Sequence, residues 1–311
     1  MPDMEVGMKT ATLILALAAA ALSWGQAAGS GDDLQAEYAN LKAAQEKKDA
    51  DAVIASARRI AELSRKISSA AKPEGMSDED WKHKQEYATQ VQQYAEYALC
   101  EMALQPPGPK TLTVVDALVE INPKSQYLAR TYPNYLVALN QTAPDKLVPS
   151  VEKLAANDPN NEDLLLVLSD AYLSRKNNQK ALEYSTKLID VLKSKPKPEG
   201  ISDADWDKKK EAALGRAYWT AGIVHATENK FSEADQQLRA ALPLIKGNDQ
   251  MMAGALFYLG VANYRLGQKS KNRTHIQDAL RFSQQAAAIK SPFQAPAQQN
   301  VKAIRTEFHI Q

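Results

Sequence analysis

The stretch Lys72-Pro73-Glu74-Gly75-Met76-Ser77-Asp78-Glu79-Asp80-Trp81 returns 125 residues later as Lys197-Pro198-Glu199-Gly200-Ile201-Ser202-Asp203-Ala204-Asp205-Trp206, with eight of ten positions identical. Self-similarity of this kind confines a chain to folds built from copied units. The phrase also describes a helix start. Ser77 and Ser202 sit where an N-cap belongs, and Asp80 and Asp205 three residues on make an acidic capping box. Met76 and Ile201 precede the caps, and Trp81 and Trp206 lie at the spacing of a hydrophobic staple.

Beyond the first residues, apolar side chains recur every three or four positions and strand-like alternation is missing, so the chain is expected to be all-α. Turns fall where Pro and Gly gather: Pro106-Pro107-Gly108-Pro109, Asn122-Pro123, Asp158-Pro159 and Lys197-Pro198-Glu199-Gly200. This punctuation predicts helices over 33–47, 50–69, 78–104, 110–121, 125–140, 144–157, 161–174, 178–194, 203–228, 232–245, 249–267, 274–289 and 293–309. Short connections make neighbours antiparallel, giving six hairpins and a closing helix. Pro133 marks the span whose continuity is most at risk.

Three hairpins carry a finer pattern. Leu165, Leu168, Ser169 and Tyr172 are followed by Ala181; Tyr218, Ala221, Gly222 and His225 by Ala234, Leu238 and Ala241; Leu256, Leu259, Gly260 and Asn263 by Ala279, Ser283 and Ala286. Ser169, Gly222 and Gly260 are small enough to let a partner helix approach, with Ala181, Ala234 and Ala279 expected opposite. This pattern resembles the tetratricopeptide repeat family, best over 161–194, 215–245 and 253–289. The resemblance implies an α-solenoid, a superhelix of antiparallel hairpins running as one body over 33–311, with the last helix (Ala297, Val301, Ile304 and Phe308) capping its end. The hairpins here are longer than the family's usual ~34 residues.

The N-terminus reads as an address. Lys9, the apolar run Ala11 to Leu22, and small residues through Ala27 describe a signal peptide over 1–27, with Met8 as an alternative start and 28–32 as a short linker. The run falls short of the ~20 residues a membrane span needs, though an uncleaved anchor is the alternative. No later segment is apolar enough to cross a membrane. The expected place is periplasmic or secreted. With 38 basic and 37 acidic residues the chain lacks the charge of a nucleic-acid binder; Lys208, Lys209 and Lys210 read as a solvated helix face. Cys100 is the single cysteine, so no disulfide staples the chain, and its apolar flanks predict a buried thiol.

No motif for catalysis, cofactor or metal emerges. His83, His225, His275 and His309 are scattered, and His225 holds a position the repeat gives to an aromatic ring, so packing is its expected work. Asp78, Glu79 and Asp80 suit the positive end of a helix, and residues 157–163 lack the glycine and spacing of a calcium loop. No enzyme is therefore expected, and no cofactor. What the resemblance implies instead is a groove along the first helices that binds a protein or peptide. Its residues would be Leu166 and Asp170; Arg216, Trp219 and Ile223; and Phe257, Val261, Tyr264 and Arg265, with Tyr94 and Glu101 extending it. Packing between hairpins is the plainer use of Trp219 and Phe257. A self-associating scaffold and, less favoured, a glycan-acting all-α enzyme are the rival functions.

Overall fold

The computed structural model describes residues 30–198 and 200–310, with side chains from Asp33 onward. The signal-peptide reading of 1–27 lies outside the described residues. Those described form thirteen α-helices, one 3-10 turn (Pro144–Lys146) and no strand. In chain order the helices are α1 Ser30–Glu46, α2 Ala50–Ser69, α3 Asp78–Ala103, α4 Pro109–Ile121, α5 Leu128–Thr142, α6 Leu147–Asn157, α7 Glu162–Ser174, α8 Asn178–Ser194, α9 Asp203–Thr227, α10 Phe231–Ala241, α11 Asp249–Ser270, α12 Arg273–Ala288 and α13 Gln294–Phe308.

The repeated phrase folds the same way twice. Ser77 Oγ accepts from the Asp80 amide at 3.0 Å, and Ser202 Oγ from the Asp205 amide at 3.1 Å. Each hydroxyl also donates to the aspartate's own carboxylate at 2.6 Å. The acidic residue therefore grips the cap side chain, where a capping box would reach the cap backbone. Lys72 pairs with Asp78 and Lys197 with Asp203, while Gly75 and Gly200 turn the chain at φ 82° and 81°. Trp206 is buried in a cluster that includes Ile201, as the staple spacing predicts.

Most boundaries agree with the sequence reading; the largest departure is α10, expected over 232–245, which ends at Ala241, two residues before Pro243. Helix α1 starts at Ser30, inside the stretch read as a linker. Helix α5 starts at Leu128 because Ser125 and Tyr127 make a turn, Ser125 Oγ accepting from the Tyr127 amide at 3.3 Å. Pro133 stays within α5. Helix α11 runs on to Ser270, through Gly267, which looks like a stop but is a contact. A Cβ there would meet Ile276 Cγ1 at 2.8 Å.

The helices fall into two compact units, one ending at Ser150 and one beginning at Val151. In the first, α1 to α5 each pack on the next, and the first helices α1, α3 and α5 touch in succession. Its core holds Leu41, Ile60, Leu99, Cys100, Leu118 and Tyr132. In the second, α7 to α13 also pack in order, and the odd-numbered helices α7, α9, α11 and α13 each touch the next. Leu165, Leu188, Leu238, Leu259 and Ala286 are in its core. Gly222 and Gly260 do permit close approach, but the nearest atoms belong to Leu238 and Ser283, with the Ala279 carbonyl oxygen 3.5 Å from the position of a Gly260 Cβ.

A recurring turn follows five of the seven odd-numbered helices. Lys48, Lys176, Asn229, Lys271 and His309 have φ between 51° and 61°, each within two residues of the end of α1, α7, α9, α11 or α13. Left-handed backbone closes these helices although none of the five is glycine.

Candidate functional site

The nine residues expected to line a groove all lie on α7, α9 and α11, the three successive first helices of the second unit. They do not share one environment. Arg216 Nε donates to Asp170 Oδ1 at 2.8 Å, its Nη1 approaches Met251 Sδ at 3.6 Å, and its guanidinium lies 5.3 Å from the Trp219 ring centre. Trp219 is half-buried and donates its indole N–H to the Met251 carbonyl at 2.9 Å. These contacts run from α7 through α9 to α11, so the cluster also ties three helices together.

Burial pushes the Asp170 carboxyl up despite the opposing Arg216 cation. Glu152, Glu162, Asp278 and Glu307, by contrast, are held low by their hydrogen-bond partners. An acid–base carboxylate pair needs two such groups pushed apart across one cavity. Asp170 faces an arginine.

Toward the C-terminal end of the row, Phe257 packs on Tyr258 at 5.2 Å and on Phe293 at 5.3 Å between ring centres. Tyr264 donates its hydroxyl to Glu307 and stands edge-on to Phe308 at 6.2 Å. Gln268 donates both to Tyr264 Oη at 2.8 Å and to Glu307 Oε1 at 2.9 Å. The Glu307 contact raises the Tyr264 phenol, and the same hydroxyl together with Gln268 holds the Glu307 carboxyl low. Arg265 is exposed, lies 5.6 Å over Tyr264, and donates to the neutral Gln268 Oε1 at 3.1 Å. Val261 is half-buried, as is Leu166, which packs beside the Leu165–Trp206 cluster. Ile223 is 8% exposed and belongs to the core.

The structure thus joins Asp170, Arg216 and Trp219 into one cluster and Tyr264 and Arg265 into another. Their essential partners, Met251, Gln268, Phe293 and Glu307, are absent from the sequence reading. Pairings 32 and 43 residues apart (Trp219 with Met251, Tyr264 with Glu307) leave no trace in a local pattern.

In the first unit, Tyr94 is buried and donates to Gln45 Oε1 at 2.9 Å, so it does not present the groove surface expected of it. Tyr38, Tyr94, Tyr97 and Tyr127 form a chain with ring centres 5.1, 6.0 and 5.8 Å apart. Glu101 accepts from Arg130 at 3.4 Å.

Lys209 corrects one expectation. It is half-buried, not a member of a solvated face, and donates to Glu162 Oε1 at 2.9 Å and Asp163 Oδ2 at 2.8 Å. Lys195 reaches Glu162 Oε2 at 2.5 Å. His225 is half-buried, its basicity lowered first by burial and then by Lys230. Among the described residues no three ligating side chains converge as a cation site would need. No protein-family model matches the chain, and no curated protein matches it.

Proposed function

We propose that the chain is a non-enzymatic, exported binding protein, built as a tetratricopeptide-repeat-like α-solenoid, that takes an extended segment of a partner protein along α7, α9 and α11. The observation that carries this reading is the Asp170–Arg216–Trp219 cluster followed by Tyr264 and Arg265 on successive first helices. Aromatic rings braced by arginines are the side chains that dominate protein recognition energies. Because they are already held by hydrogen bonds, little side-chain entropy is lost on binding.

The two arginines have different work. Arg216 is neutralised by Asp170 and serves as a plate for Trp219. Arg265 is bound to a neutral amide and offers its charge outward, suiting a partner carboxylate. Val261, one turn before Arg265, supplies aliphatic surface.

Export is supported by the sequence pattern of residues 1–27. No helix among the described residues is long and apolar enough to cross a membrane. The test immobilises the wild-type chain and a Val261→Glu/Arg265→Glu variant and compares what each retains from a native envelope extract. A protein held by wild type and lost by a variant of unchanged helicity supports the proposal. Equal retention by both overturns the assignment of this row.

A further inference from the structure

Helix α13 rests against α12 and α11, yet only Ala297 and Ile304 of its residues are buried. On its other side α12 and α13 bound an open cleft of about 640 Å³. Half-buried Ala287 and Val301 and exposed Ala288 supply its aliphatic lining, and Gln284, Gln298, Lys302, Arg305 and Thr306 its polar lining. Elsewhere in this unit small residues bring neighbouring helices close: a Cβ on Gly260 would meet Ser283 and the Ala279 carbonyl, and one on Gly222 would meet Leu238. Small side chains are what let two helix axes come within packing distance.

The charges around the cleft are one-sided. Arg216, Arg239 and Arg281 are each neutralised by an aspartate. Lys302 and Arg305 are exposed, and neither has an ion pair among the described residues. No acidic side chain lines the cleft among those residues. We propose that this cleft seats an amphipathic helix of a partner protein, with a stripe of alanine-sized and aliphatic residues against Ala287, Ala288 and Val301 and with acidic residues toward Lys302 and Arg305. A groove between two helices receives a helix through anchors at i, i+4 and i+7. A second copy of α13 fits poorly, because its one acidic residue, Glu307, already accepts from Tyr264 and Gln268 and leaves nothing negative to meet Lys302 and Arg305. The site stands apart from the row on α7, α9 and α11.

The test uses the full chain and two labelled, lactam-stapled helices about four turns long. Both carry an Ala/Leu stripe; one has glutamates and the other lysines on its flanks. The acidic probe binds wild type more tightly than the basic probe. Lys302→Glu/Arg305→Glu, at two exposed positions, weakens the acidic probe at least about tenfold and reverses the preference. Val261→Glu/Arg265→Glu leaves the preference intact, which separates this site from the first-helix row. Failure of the acidic probe to bind wild type, equal binding of the two, or indifference to the charge reversal overturns the proposal. So does a wild-type dimer in sedimentation that the reversal dissolves, since a second copy would then be the occupant.

Discussion

Gly222 on α9 lies so close to Leu238 on α10 that a Cβ built on it would sit 2.5 Å from Leu238 Cγ and 3.1 Å from its backbone nitrogen. Leu238 is fully buried and cannot swing away without disturbing Ala241, Leu259 and Phe282 in the same cluster. Gly222→Ala is expected to cost about 1–3 kcal/mol by overpacking, although alanine is the better helix former. Gly108→Ala is the control. Its backbone is extended and nothing lies within 4 Å of the added methyl, so its effect should stay within about 0.5 kcal/mol. Urea unfolding followed by circular dichroism separates the two outcomes.

The left-handed turns after five of the odd-numbered helices give an opposite prediction. Lys176 holds φ 58° between α7 and α8. An L-residue pays roughly 1–2 kcal/mol in that region, and glycine does not. Lys176→Gly should therefore stabilise the chain by about 0.5–1 kcal/mol, once glycine's greater unfolded freedom is subtracted. A fall in the denaturation midpoint would show that the Lys176 side chain contributes more than its backbone costs.

Glu162 is 5% exposed and accepts from both Lys195 and Lys209. Burial alone would raise its pKa, but the two lysine hydrogen bonds outweigh that and hold it below 4.5, the ordinary glutamate value. A carboxyl lowered in the folded state contributes stability that is full above the unfolded value. That contribution disappears as pH falls through the folded value. Glu162→Gln should cost roughly 2 kcal/mol at pH 7 and flatten the acid side of the stability profile below pH about 4.5. Unfolding free energies at pH 7, 5 and about 3.5 test both parts.

Cys100 has no solvent exposure, and burial pushes its thiol up to about 11. Only about one molecule in a thousand is then a thiolate at pH 8. Modification by a disulfide reagent should be at least about 100-fold slower in the native chain than in urea. Comparable rates would mean that the first unit opens freely around α3.

Helix placement was legible because its signals are local. Ser77 and Ser202 accept the hydrogen bonds that their positions predict, and Asn161, Asn177, Asn248 and Asn272 cap α7, α8, α11 and α12 in the same manner. The expected end of α11 at 267 falls three residues short, and Gly267 serves as a contact surface whose Ile276 neighbour arrives only once α11 and α12 pack. Lys209 misled, since three lysines in a row look like solvent until Glu162 is brought beside one of them. At the candidate site, the nine residues named from the resemblance fall on three helices that touch in succession. The resemblance left unresolved how Trp219 is used, because the Met251 carbonyl that receives its N–H comes from the following hairpin. Phe257 likewise meets Phe293 from beyond α12.

A partner lying along α7, α9 and α11 is caught by contact-dependent crosslinking. A photo-crosslinking residue replaces Val261 on α11 in one chain and exposed Gln236 on α10 in another. Each is irradiated in native envelope extract and its adducts identified by mass spectrometry. A discrete protein adduct from position 261, competed by unlabelled wild type and missing from position 236, is the predicted result. Identical adducts from both positions, or an adduct from 236 alone, would contradict the account.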